Sequence, residues 1–142
     1  MIKKIIKIIL GFLTGFLIGL QFAQEEKTNP PVTAEIIVPD DIKSILKTSC
    51  YDCHSNETKW PWYSYVAPIS FLIIDDVKEG REKLNFSEWG KYDEVKKLKL
   101  KKEILEEVEK EDMPLPVYTY LHPNSKMDFT KKEKIRKWAS GK

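Results

Sequence analysis

The sequence predicts a small all-α domain preceded by an N-terminal membrane helix. Three observations favour this fold class. A lysine cluster is followed by an uncharged apolar run, apolar residues recur with helical spacing from residue 40 onward, and no segment alternates convincingly enough for a sheet. The 142 residues leave room for one ordinary domain.

Composition and charge exclude several classes of protein. Hydrophobic residues make up 42% of the chain and charged residues 32%, with a formal net charge of +2. This balance argues against a disordered acidic tail and a strongly basic nucleic-acid binder, so we expect no nucleic-acid partner. Residues 1–24 hold three lysines and no acid, which leaves −1 for residues 25–142. Two cysteines are too few for a disulfide framework.

Residues 1–24 have the pattern of a membrane anchor. Lys3, Lys4 and Lys7 precede an apolar run from Ile8 to Leu20, which its flanks extend to a 19-residue stretch. A helix of that length, at about 1.5 Å per residue, just crosses a hydrocarbon core of roughly 30 Å. We favour an uncleaved single-pass anchor, with a cleaved signal peptide as the alternative. Both interpretations put residues 25–142 on the extracytoplasmic, periplasmic side, because the lysines stay inside.

Three glycines in this run share one helix face. Gly11, Gly15 and Gly19 recur at every fourth position. Such spacing permits close packing and self-association of membrane helices, although glycine is also simply common in them.

Residues 25–39 are expected to form a flexible, exposed tether. Charged residues, the Pro30–Pro31 pair and Pro39 argue against a packed element. Such a tether would let the following domain, residues 40–142, shuttle between membrane partners.

The domain is predicted to begin with two helices. Asp40 caps the first, which runs into Cys50. Pro68 suits the first turn of the second, which ends at Gly80. The apolar faces predicted for them are Ile42, Ile45 and Leu46 in the first helix, and Ile69, Leu72, Ile73 and Val77 in the second.

Two more helices are predicted towards the C-terminus. The first spans about residues 92–111 and carries the apolar stripe Val95, Leu98, Ile104, Leu105 and Val108. Three prolines make residues 112–129 irregular. Thr130 and Glu133 form a capping box that starts the last helix, through Trp138.

The chemistry is concentrated in one motif, Cys50-Tyr51-Asp52-Cys53-His54. Two cysteines separated by two residues and followed by histidine are the attachment pattern of c-type haem. Cys50 and Cys53 would form thioethers to the porphyrin vinyl groups, and His54 would bind the iron axially. Haem c is attached covalently after export, which agrees with the membrane anchor predicted for residues 1–24.

Other uses of these residues are less favoured. A zinc site needs a fourth ligand, and His122 is the one further histidine. A thioredoxin-like dithiol expects a βαβ context, and a disulfide across two residues would be a strained staple.

Met113 is the favoured second axial ligand. It lies in a proline-flanked loop, Met-Pro-Leu-Pro, whose thioether could complete the iron coordination. His122 and Met127 lie in the same irregular segment and are the competing candidates, and an iron without a second protein ligand is the remaining alternative.

Further residues are assigned weaker roles. Arg81 could contact a haem propionate through its guanidinium, or instead serve the dipole at a helix C-terminus. Lysines 96, 97, 99, 101 and 102 could dock an acidic redox partner, but a solvated helix face is the simpler interpretation. The aromatic group after the motif is expected to be core or a porphyrin wall; it comprises Trp60, Trp62, Tyr63, Tyr65 and Phe71.

A series of motifs resembles the bacterial small haem-binding domain family, which is related in plan to class I cytochromes c. They are Cys50–Asn56 (CYDCHSN), Trp60–Tyr63 (WPWY), Ala67–Ser70 (APIS), Gly80–Arg81, Leu84–Trp89 (LNFSEW), Met113–Tyr118 (MPLPVY), His122–Pro123 and Trp138–Ala139. The resemblance covers nearly all of residues 40–140. It implies one covalent haem c through Cys50 and Cys53, His54 as proximal ligand, and an extracytoplasmic site.

The function expected from these features is electron transfer by an exported or membrane-anchored monohaem c-type protein with redox protein partners. It is not expected to be an enzyme. The alternatives are a peroxidase-like haem enzyme and a gas or redox sensor with an open or weakly ligated iron.

Overall fold

The computed structural model describes residues 2–141, and within that range the chain forms helices and no strand. This confirms the all-α fold class and the N-terminal apolar helix. The α-helices are α1 (Ile2–Phe22), α2 (Asp40–Ser49), α3 (Tyr51–His54), α4 (Ile69–Lys83), α5 (Glu94–Glu109), α6 (Pro116–Leu121) and α7 (Phe129–Ala139). Three short 3₁₀ helices lie between them, at Trp62–Tyr65, Phe86–Lys91 and Pro123–Ser125.

Helix α1 is long and apolar enough to cross a membrane. Its 21 residues have a mean hydropathy of 2.0 over the most apolar window, and none of that window is buried against the rest of the chain. An apolar helix whose window is not buried by the rest of the chain is typical of a membrane span or a signal sequence.

The segment predicted as a flexible tether is instead bound to the domain. It has no helix or strand, as expected, but Ala34 and Ile36 donate backbone hydrogen bonds to the oxygens of Ser87 and Phe86, at 3.0 and 2.9 Å. Ile36 is 3% exposed and belongs to the main core. The prolines prevent a regular element but leave an extended strand-like path that can pair with loop backbone. The flexible-tether prediction was therefore wrong for this part of residues 25–39.

Helix α2 confirms its predicted apolar face. Ile42, Ile45 and Leu46 are buried in the main core, which also contains Tyr51, Phe86 and Ile135. The helix begins at Asp40, but its N-cap is Pro39, which makes no side-chain capping bond. Aromatic rings occupy the centre: Tyr51 stacks on Phe86 with centroids 5.4 Å apart.

Helix α4 buries only part of the predicted face, since Val77 is buried as predicted but two of the other predicted residues are exposed. Its buried residues are Ser70, Ile74, Val77 and Gly80, whereas Ile69 and Leu72 are 47% and 67% exposed. The helix also continues past Gly80 to Lys83. Two of the four buried residues, Ser70 and Gly80, are small, which suits the close packing of α4 against α3 and the first 3₁₀ helix.

The C-terminal third departs from prediction at three places. Val95 and Leu98 are exposed on α5, which buries Leu100 and Val108 and packs on α7. Residues 116–121 form the short helix α6, because Pro116 stands at a helix start, where its missing N–H costs no bond. Helix α7 is capped by Asp128, two residues before the predicted Thr130.

Candidate haem-binding site

The Cys-Tyr-Asp-Cys-His motif lies at the junction of α2 and α3. Tyr51 points into the core, where it is 3% exposed and stacks on Phe86. The three chemistry-bearing side chains, Cys50, Cys53 and His54, all line one groove on the surface of the domain. The buried tyrosine therefore fixes the direction in which the motif presents its thiols and imidazole.

The imidazole of His54 is oriented by two backbone carbonyls. Its Nδ1 lies 2.9 Å from the oxygen of Gly80 and 3.2 Å from that of Leu84. Since a carbonyl can only accept, Nδ1 carries the proton, and Nε2 keeps its lone pair for a metal. Burial lowers the pKa of His54, which favours this neutral form.

Gly80 permits the close approach of α4 to the motif. A Cβ at this position would lie 2.6 Å from the backbone oxygen of Cys53 and 3.2 Å from its Cβ. These distances are shorter than van der Waals contact, so a side chain would push α4 away from α3. The glycine is required for packing, and the same residue supplies the carbonyl that orients His54.

The groove lies between the motif and the segment that follows α5. Its cavity volume is about 130 Å³, and it opens to solvent on one side. Its lining residues are Ser49, Cys50, Asp52, Cys53, His54, Asp76, Glu79, Gly80, Lys83, Met113, Pro114, Leu115 and Tyr118. A smaller cavity adjoins it and shares Asp52, Cys53, Asp76, Leu115 and Tyr118.

Of the three candidates for a second axial ligand, Met113 alone lines this groove. His122 is engaged elsewhere, since its Nε2 lies 2.7 Å from the hydroxyl of Tyr63 and its ring stacks on Tyr118 with centroids 4.4 Å apart. Met127 packs against the main hydrophobic core. The fold thus brings Met113 to the same groove as His54 and leaves the other two in structural contacts.

Sequence reasoning missed several groove residues. The hydroxyl of Tyr118 donates to Asp52 Oδ2 at 2.7 Å and so joins α6 to α3 across the groove. Ser49 Oγ is buried in the lining without a hydrogen-bond partner among the described residues, which leaves it available to a bound group. The sequence signals for Asp52 and Tyr118 were their positions inside the Cys50–Asn56 and Met113–Tyr118 motifs, and nothing in the pattern pointed to Ser49.

Arg81 does not line the groove, and its hydrogen bonds favour a structural role, while the propionate contact stays a prediction. Its guanidinium donates to Ser55 O, Thr28 O, Asn29 Oδ1 and Thr58 Oγ1, at 2.7 to 2.9 Å. Four of its five N–H donors are therefore engaged. Arg81 acts as a clamp that joins the loop after the motif to residues 28–29.

The aromatic group after the motif is divided between two environments. Tyr63 lines the smaller cavity, in agreement with a place beside the cofactor. Trp62 and Tyr65 are 78% and 56% exposed, so the prediction that they belong to an aromatic core was wrong.

The environment of the two thiols argues against a reactive dithiol. Burial raises the pKa of Cys50 to about 12. Burial and the carboxylates of Asp76 and Asp52 raise the pKa of Cys53 to about 11. Thioredoxin-type cysteines have lowered pKa values, because the thiolate is the nucleophile. Both cysteines here are neutral thiols, and they are not joined in a disulfide.

The residues fit a haem. One groove presents two free thiols, an imidazole with a free Nε2 and, from another segment, a thioether. In contrast, no group of three or more His, Cys, Asp and Glu residues within 2–141 is arranged to hold a metal ion by itself, which disfavours the zinc alternative. The fold and site thus define an all-α protein with a haem-type groove.

Comparison with known proteins identifies the family. The haem-binding domain family matches residues 15–141, nearly the whole chain. The chain belongs to this family, and the resemblance in the sequence motifs is confirmed. No curated protein and no solved structure matched the chain significantly.

Proposed function

We propose that this protein is a membrane-anchored monohaem c-type cytochrome that transfers electrons on the extracytoplasmic side of a membrane. The observation that carries the proposal is that Cys50, Cys53, His54 and Met113 line one groove. Haem binding follows from the family. The covalent attachment, the single haem and the electron-carrier role are inferred from the chain's own residues.

Each groove residue has a defined task in this proposal. Cys50 and Cys53 would hold the porphyrin as thioethers, formed by addition of their S–H groups to its two vinyl groups without an oxidant. His54 offers Nε2 to the iron, while Gly80 and Leu84 hold its ring through Nδ1. When bound, the haem would supply one-electron chemistry by cycling between the ferrous and ferric states.

The presence of Met113 in the groove favours a carrier over the haem enzyme and the sensor. Enzymes and gas sensors need an iron position that is open or easily vacated, whereas a carrier keeps both axial positions filled. Pro114 follows Met113 directly, and the backbone N–H of Met113 bonds to Glu107 O at 3.2 Å. These restraints hold the methionine segment to the end of α5.

The membrane location is supported by α1. Its lysines lie at the N-terminal end and its other end leads into the domain, an order that favours the cytoplasmic side for the lysines. An uncleaved α1 would keep the haem domain at the membrane, beside redox proteins that reside there. Self-association through Gly11, Gly15 and Gly19 stays a prediction.

The test is the optical spectrum of the full chain, expressed with the cytochrome c maturation machinery. We expect haem that resists acid–acetone extraction and a six-coordinate, low-spin spectrum with a methionine-to-iron charge-transfer band. C50A/C53A is the control and should yield extractable haem or none. A high-spin ferric spectrum, or carbon monoxide binding without ligand loss, would contradict the carrier and favour its rivals.

A further inference from the structure

Five exposed apolar side chains form a surface patch that the haem groove does not account for. Trp62, Tyr65, Val66, Ile69 and Leu72 are between 43% and 78% exposed. None of them lines the groove or the cavity beside it, so a bound haem would leave them uncovered. We name this set the apolar ledge. It lies within residues 61–74, a stretch without one charged residue in a chain that is 32% charged.

The end of α1 is hydrogen-bonded to the middle of this ledge. The side chain of Gln21 accepts from the backbone N–H of Ala67 and donates to its oxygen, both at 3.2 Å. Gln24 donates to the backbone oxygen of Tyr65 at 3.3 Å. The ledge is therefore fixed beside the C-terminal end of the apolar helix.

The length of α1 sets the depth at which the ledge lies. Gln21 stands one residue before the helix end at Phe22, so a membrane-spanning α1 puts Gln21 and Ala67 near the outer boundary of the hydrocarbon core. Leu72 lies five residues beyond Ala67, which along a helix is about 8 Å. The headgroup layer is itself about 5–8 Å thick. All five ledge residues thus lie within reach of the headgroups.

We propose that the apolar ledge lies in the headgroup layer of the outer leaflet, so that the haem domain rests on the membrane surface. The proposal rests on the membrane anchoring proposed above. Trp and Tyr, which the ledge supplies as Trp62 and Tyr65, are the residue types enriched at this depth. Lys27 lies over the Tyr65 ring, with its ammonium 4.6 Å from the centroid, and presents a cation to lipid phosphates at the rim. Lipid is favoured over a protein occupant because α1 already holds the ledge at the bilayer.

The test is hydroxyl-radical footprinting of the full haem-loaded chain in nanodiscs of phosphatidylcholine and phosphatidylglycerol, with one copy in each disc. Leu72 and Leu98 form a matched pair, since they are the same residue type and are 67% and 66% exposed. Leu98 lies on α5, which packs on α7 rather than beside the end of α1. We expect the modification rate of Leu72 to be at least about threefold lower than that of Leu98, because lipid excludes water from a buried apolar face.

A double variant supplies a second measurement. I69E/L72E adds two charges to the ledge, outside the haem groove, and should raise the modification rate of Trp62 while the haem spectrum stays unchanged. Equal rates for Leu72 and Leu98, in protein that membranes retain through a carbonate wash, would overturn the ledge proposal and leave the anchor standing. Protection that needs two copies per disc would assign the ledge to a second chain instead. Release by carbonate would overturn the anchor and the ledge together.

Discussion

The Nδ1 atom of His54 lies 2.9 Å from the carbonyl oxygen of Gly80, a residue 26 positions further along the chain. The motif therefore does not orient its own histidine, because helix α4 does so from outside. The contact is short because Gly80 has no side chain, so packing and ligand geometry depend on the same residue.

G80A is expected to weaken both the packing of α4 on the motif and the orientation of His54. The added Cβ would meet the Cys53 backbone at 2.6 Å, and overpacking of this kind costs about 1–3 kcal/mol. Urea denaturation of the full chain in detergent, followed by circular dichroism, measures the loss. Covalent haem per mole of protein should fall as well. G90A is the control with a milder clash: its Cβ would lie 3.1 Å from the Ala34 side chain, so this variant should lose less stability than G80A. Equal stability of G80A and wild type would show that α4 can move away without cost.

M113A is expected to remove the second axial ligand. The charge-transfer band should disappear and the ferric spectrum should become high-spin, or six-coordinate with water. M127A is the matched control, because Met127 packs on the core and should leave the spectrum unaltered. If M127A abolished the band and M113A did not, the two assignments would be exchanged.

R81M is expected to release residues 28–29 from the domain. Four hydrogen bonds from the guanidinium are lost, and we expect the free energy of unfolding to fall by about 2–4 kcal/mol. R136M is the control, since the ion pairs of that partly exposed residue with Glu109 and Glu133 are worth at most about 1 kcal/mol. Hydrogen exchange near residue 28 should accelerate in R81M alone. If R81M changed the reduction potential strongly and left hydrogen exchange near residue 28 unchanged, the result would support a contact between Arg81 and a haem propionate instead.

The free energy of unfolding should fall at acid pH, partly because Glu35 becomes protonated. The ammonium of Lys43, through a hydrogen bond and its charge, lowers the pKa of Glu35 below the ordinary 4.5, with a further bond from the hydroxyl of Tyr51. A carboxylate whose pKa is lowered by folding stabilises the folded state above pH 4.5 and ceases to do so as pH falls through the folded pKa. The urea midpoint of E35Q should therefore fall less steeply below pH 4.5 than that of wild type. E94Q, at a side chain that is 83% exposed, should follow wild type, and parallel curves for E35Q would contradict the assignment.

The sequence predicted those features whose chemistry or periodicity is local. The face of α2 follows from apolar residues at helical spacing that are all buried, and the haem motif is contained in five consecutive residues. The buried face of α4 was predicted only in part, because Val77 is buried but Ile69 and Leu72 lie on the surface. The packing face also needs small residues, Ser70 and Gly80, which hydrophobicity does not reveal.

The contacts of residues 25–39 could not be predicted for a different reason. They are mostly hydrogen bonds to backbone oxygens, such as those of Ser87 and Phe86, and every residue type has a backbone oxygen. The structural contacts of Arg81 could not be predicted for the same reason. Three of the four acceptors it meets are carbonyl or amide oxygens, which leave no pattern in sequence.

The binding of residues 28–38 to the domain changes how such a protein could meet its partners. If free, a 15-residue linker would behave as a coil with an average span of about 20 Å, and the domain could sweep the volume above its anchor. Because hydrogen bonds to Ser87, Phe86 and Arg81 hold this segment against the domain, the linker adds no reach, and the distance from the anchor is set by the size of the folded domain. In the membrane-anchored electron carrier proposed above, encounters would then be governed by lateral diffusion in the plane of the bilayer and by the direction in which the groove faces, so a donor and an acceptor would have to present their redox centres at one height.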